Sequence, residues 1–185
     1  MFSRRARLCA ATTLVTVSAG CAHFRAEANK PDKLPEGPND GNITAMLLAA
    51  NNTDISYAQL APARTASPAV REYATRMIVD HSAVNSALTE LVQRSRIEPE
   101  ENGASLYFRD ESTAERDLMR GMVGRQFDST YIANEINYHL NLLKTLDTVL
   151  IPKARDAQLR QVLVSVRPAV VSHLDHAQKV QAGLH

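Results

Sequence analysis

The chain is poor in the residues that would commit it to several common classes. Two cysteines among 185 residues can build neither a disulfide scaffold nor a cysteine-rich zinc site. Seven glycines and eight prolines are few, and with abundant Ala and Leu they leave a composition that leans to helix. No strand alternation or hairpin turn stands out. A formal net charge of +1 offers no basic field for a nucleic-acid backbone, which excludes that partner. No glycine-rich phosphate loop is present, and no Ser or Cys nucleophile has an identifiable base, so an enzyme ranks below a binding or structural protein. What is present is a hydrophobic share of 44 %, enough for the core of one domain with tails.

The first residues carry their own signal. Arg4, Arg5 and Arg7 precede an uncharged apolar run from Leu8 to Val17, closed by Ser18-Ala19-Gly20 before Cys21. A basic start, a short apolar run and small residues predict an export signal over 1–20, and the run is too short to span a membrane. No later stretch approaches 18 apolar residues. The small-small-Cys ending resembles the bacterial lipobox, which implies lipidation of Cys21 and a membrane as partner. The usual Leu three positions before the Cys is Ser18 here, and an ordinary secretory peptide is the alternative. Loss of 1–20 removes three Arg and no acid, leaving the rest mildly acidic. Ala22 replaces the Asp of an inner-membrane retention signal, so the expected location is the periplasmic face of the outer membrane. Residues 21–41, with Pro31, Pro35, Pro38, Gly37 and Gly41, read as a tether, and 42–185 as the folded domain.

Four segments carry a helical period. The first runs from Asn42 to about Pro62. The second opens at Ser67-Pro68, an N-cap followed by the residue best suited to the first helical position, and reaches about Arg96. The third spans about Asp128 to Ile151, and the fourth runs from the Asp156 cap to about Gly183, with a kink expected at Pro168. Ser112 and Glu115 have the spacing of a capping box and predict a short helix there, ended by Gly121 and Gly124. The expected fold is all-α: a ferritin-like antiparallel four-helix bundle with a short extra helix between helices two and three.

Each apolar stripe is broken near its middle. At about 100° per residue, Asp54 lies about 20° from the line of Ile43 and Ala61, and His81 about 20° from that of Val70 and Leu88. Glu135 and His139 sit among Tyr131, Leu142 and Leu146, and His173 falls between Val166 and Ala177. Counted from the shared turn, Glu135 and His173 come out level. Asp54 and His81 are offset by about six residues, or roughly 9 Å. Five ionisable groups in one core must satisfy one another or hold something. Three His with one or two carboxylates suit one divalent transition metal ion, Zn, Fe, Mn or Cu; a metal-free hydrogen-bond network is the alternative. Asp80, on the edge of its stripe, is either an imidazole partner or a surface acid. His176 is turned about 60° away from His173, and Tyr131 and Tyr138 read as core aromatics.

The segments NTDISYAQLA (52–61), Ser67 to Ala74, Met77-Ile78-Val79-Asp80-His81, Phe127 to Tyr131, Arg167-Pro168 and His173-Leu174 together resemble the bacterial domain-of-unknown-function 4142 family. The likeness covers about Asn42 to Gly183. It implies a ferritin-like bundle and export, often as a lipoprotein, without implying an activity. The family commonly offers Glu where this chain has Asp54. A di-iron ferritin would need more carboxylates than these, so ferroxidase activity is not expected. Two functions remain. One is an envelope metal-handling or stress-protection protein; the other is a structural or interaction module whose buried polar groups only specify packing, its protein partner unknown.

Overall fold

The computed structural model describes residues 37–184, with only the backbone of Glu111. The expected signal over 1–20, Cys21 and most of the expected tether lie outside the described residues. The described part is all-α. Its elements are α1 (Asp40–Ala58), α2 (Ala61–Arg64), α3 (Pro68–Ser95), α4 (Gly103–Arg120), α5 (Gly124–Thr145), a π-turn (Leu146–Leu150), α6 (Ile151–Lys153) and α7 (Ala157–Ala182). No helix among them is long and apolar enough to cross a membrane.

The helix starts follow local chemistry. The Asn39 side chain caps α1 in a reciprocal box with Asn42, so the helix begins two residues ahead of the expected Asn42. Ser67 caps α3 ahead of Pro68, and Asp156 accepts from the N–H groups of Gln158 and Leu159 at the start of α7. Arg96 ends α3 in the left-handed region.

Two expectations are corrected. The helix expected from Ser112 starts at Gly103, because Asn102 and Ser105 form the capping box there. Ser112 stands inside α4, its hydroxyl turned back on the Arg109 carbonyl. Gly124 does not end a helix; at φ 60° it takes the turn that opens α5. Pro168 lies on the exposed side of α7, which remains helical from Ala157 to Ala182. Across from it, Asp147 in the π-turn accepts two hydrogen bonds from Arg167, at 2.6 and 2.8 Å.

α1 lies beside α3 and α4, and both α3 and α5 lie beside α7. Neighbouring helices of the four-helix set run antiparallel, while α4 returns the chain along α1 and makes the crossover from α3 to α5. Both ends are tied. At one, Asp40 accepts from the N–H groups of Arg155 and Asp156, at 2.7 and 3.0 Å. At the other, Asp128 accepts from the Thr65 hydroxyl and the Ala66 N–H, and Arg64 donates to the Arg120 carbonyl. The start of α1 is pressed against the segment after α3. A Cβ on Gly41 would stand 2.6 Å from the Glu98 carbonyl oxygen. Gly41→Ala is therefore expected to destabilise the domain by about 1–3 kcal/mol in urea unfolding, the usual cost of overpacking against backbone.

The apolar interior divides in two. Ile43, Leu47, Leu88, Leu91, Leu142, Leu146, Leu159 and Leu163 fill one half. Tyr57, Val70, Tyr73, Met77, Phe127, Tyr131, Ile132 and Ala177 fill the other. Between the halves, each of α1, α3, α5 and α7 carries a buried polar residue.

Candidate metal centre

That middle layer brings together Asp54 of α1, His81 of α3, Glu135 and His139 of α5 and His173 of α7, all at most 3 % exposed. The offset expected between Asp54 and His81 is not there. α1 ends at Ala58, and a separate short helix, α2, stands between it and α3. His81 Nε2 lies 3.2 Å from Asp54 Oδ2, and His139 Nε2 lies 3.5 Å from the same oxygen. The three imidazoles form a triangle with ring centres 5.3, 5.4 and 5.9 Å apart.

The outward nitrogen of each ring is occupied. His81 Nδ1 is 2.8 Å from Asn51 Oδ1, and His139 Nδ1 is 2.9 Å from the carbonyl of Glu135 one turn earlier. His173 Nε2 is 2.8 Å from Asp80 Oδ2, itself held by Arg76. All three partners accept, so each of these nitrogens donates, and the neutral ring keeps its lone pair on the other. Those others are His81 Nε2, His139 Nε2 and His173 Nδ1. All three are buried without an aligned hydrogen-bond partner, as are both oxygens of Asp54 and one of Glu135. One ring nitrogen of each of the three His lies within 4.8 Å of the other two, and one ligand atom each from Asp54, Glu135 and His139 does the same. Such groups could hold a metal ion. The donor set fits one: imidazole lone pairs and a carboxylate, each ring oriented from behind by an acceptor.

Burial and charge divide these groups. Burial alone would raise Asp54, but the imidazoles, His81 foremost, hold it below the ordinary carboxylate value. Burial likewise opposes charge on His81, yet the Asp54 carboxylate outweighs it and raises its pKa. His139 is lowered, by burial first and then by the charge of His81. His173 is lowered to about 4, mainly by burial, with Asp80 pulling the other way. Burial and then the Asp54 charge push Glu135 well above the ordinary carboxylate value. The Tyr73 hydroxyl donates to Glu135 Oε2 at 3.3 Å, and burial raises both Tyr73 and Tyr131 beside this carboxyl.

A family model described as a domain of unknown function (DUF4142) matches residues 25–180. The chain belongs to this family. The match spans all four helices that supply the buried polar layer. Among curated proteins and solved structures nothing matches significantly. The family thus agrees with the sequence resemblance and assigns no activity.

All five residues picked from the stripes meet in one layer. Asp80 is both the surface acid and the imidazole partner, 37 % exposed with an oxygen on His173. His176 stays outside the layer, its ring 5.2 Å from that of Tyr73. Pattern reading passed over Asn51 and Tyr73. Asn51 stands one turn before Ile55 and three residues before Asp54, and an uncharged amide so close to a stripe carries no special signal. Tyr73 looks like any core aromatic until its hydroxyl is seen on Glu135.

Proposed function

We propose that the domain binds one divalent transition metal ion, Zn, Fe, Mn or Cu, through His81 Nε2, His139 Nε2, His173 Nδ1 and Asp54, with Glu135 beside them. The supporting observation is the set of inward nitrogens and carboxylate oxygens that are buried together without an aligned hydrogen bond, His81 and His139 meeting Asp54 Oδ2 only at 3.2 and 3.5 Å. A metal-free network would align hydrogen bonds to such atoms, since a buried polar group left without one costs about 1–3 kcal/mol. The chain departs here from the two-ion ferritin pattern, and the role we assign is metal handling or stress protection rather than catalysis. When bound, an ion would supply positive charge that offsets Asp54 and takes the place of a proton on His81. Asn51, Asp80 and the Glu135 carbonyl hold the rings for it.

We also propose that the chain is exported and held by a lipid on Cys21 at the periplasmic face of the outer membrane, with the segment that follows acting as a tether. Arg4, Arg5, Arg7 and the apolar run before Ser18-Ala19-Gly20-Cys21 support this.

The deciding measurement is metal analysis of protein purified without a histidine tag. One ion per chain is expected. Absence of stoichiometric metal, together with no thermal shift on adding Zn, Mn, Fe or Cu, would remove the metal reading. For the anchor, Cys21→Ser is expected to move the protein from the membrane fraction to the soluble one.

A further inference from the structure

Behind His81 stands a row of three asparagines. His81 Nδ1 donates to Asn51 Oδ1, the Asn51 amide nitrogen donates to Asn85 Oδ1 at 2.9 Å, and the Asn85 amide nitrogen donates to Asn52 Oδ1 at 2.9 Å. The row crosses from α3 to α1, back to α3 and again to α1. It starts at a buried imidazole and ends at an exposed side chain. Every donor in it points the same way.

That common direction is a constraint. An amide has a donor end and an acceptor end; turning over Asn51 or Asn85 alone sets like against like, and turning over Asn52 does so at its one contact in the row. Only the whole row can reverse. Reversed, Asn51 would aim an N–H at His81 Nδ1, which would then carry the lone pair, and the ring proton would move to Nε2 beside Asp54. The direction of the row and the nitrogen that His81 offers to the centre are therefore one variable. The other two imidazoles have no such dependence. His139 is held by a backbone carbonyl and His173 by a carboxylate, and neither acceptor can become a donor at neutral pH.

We infer that Asn51, Asn85 and Asn52 form a positioning relay that keeps His81 Nε2 free for the ion and so sets the metal affinity of the centre from the α1–α3 surface. The inference rests on the metal reading above. Asn85 touches neither the imidazole nor the ion's position; it acts through Asn51. Partners behind a ligating His commonly govern about 10–100-fold in metal affinity.

The experiment uses the untagged chain, zinc and a competing chromophoric chelator. Asn85→Leu keeps the size of the side chain and removes its amide. It is expected to weaken zinc binding by about tenfold. The metal-free melting temperature should stay within about 2 °C of the parent, as for a partly exposed substitution. Asn85→Asp still accepts from the Asn51 amide and should restore the parent affinity. In zinc-loaded parent the His81 Nδ1 proton should exchange slowly with solvent, and in Asn85→Leu faster. Asn52→Ala, at the exposed end, should weaken zinc in the same direction by less, and covers the case that Asn85→Leu does not fold. Parent affinity in Asn85→Leu, or an Asn85→Asp as weak as Asn85→Leu, would overturn the relay and leave the metal site standing. A parent chain that binds no zinc would overturn the metal site first.

Discussion

Free zinc at a thousandfold excess over its dissociation constant is expected to raise the melting temperature of the domain by roughly 8–16 °C. A ligand at that excess stabilises the native state by about 4 kcal/mol if the unfolded chain does not bind it. In a domain of this size each kcal/mol is worth roughly 2–4 °C. His139→Ala should abolish the shift. His139 is the ligand that belongs to both groups of converging atoms, with His81 and His173 on one side and with Asp54 and Glu135 on the other. Differential scanning calorimetry of parent and variant, with and without zinc, reads this directly. The packing-only alternative expects no shift in the parent, and equal melting losses with and without metal in His81→Ala and His173→Ala. Equal shifts in parent and His139→Ala would show that zinc binds elsewhere.

Acid should destabilise the metal-free protein through His173. Its folded pKa is about 4 against an ordinary value of 6.5. Between these limits the unfolded chain takes up a proton that the folded chain refuses, so stability rises with pH across this window. The contribution is present in full above 6.5 and is lost as pH falls toward 4. At 1.36 kcal/mol per pKa unit it amounts to about 3 kcal/mol. The depressed His139 acts with the same sign. His81 acts against them. Its raised pKa gives stability that is present below 6.5 and lost as pH rises through the folded value. Asp54, lowered, contributes above 3.8 and loses that only as pH falls through its folded value. Urea unfolding at pH 7 and pH 4 should show His173→Gln losing about 3 kcal/mol less than the parent on acidification. An equal loss in the two would refute the assignment to His173.

Much of this arrangement is legible in one dimension. A 3.6-residue period needs only the chain to reveal that Asp54, His81, Glu135, His139 and His173 interrupt apolar stripes. The caps at Ser67 and Asp156 are equally local, since a side chain there serves N–H groups two or three residues on. Local signals compete, however. Ser112-x-x-Glu115 has the form of a helix start, but Asn102 and Ser105 sit earlier and end an extended segment, so the box forms there and Ser112 becomes an interior residue.

The sequence alone determined the all-α class, the four long helices and the polar layer, because periodicity and capping depend on neighbours a few residues apart. Only the tertiary structure decided the height at which Asp54 meets His81, since that depends on how the chain between α1 and α3 is folded. It also decided which nitrogen of each imidazole faces inward. Asn51, Asp80 and the Glu135 carbonyl make that choice, and two of the three reach their ring from another helix. A hydrogen-bond acceptor across an interface leaves no period in the chain that carries it.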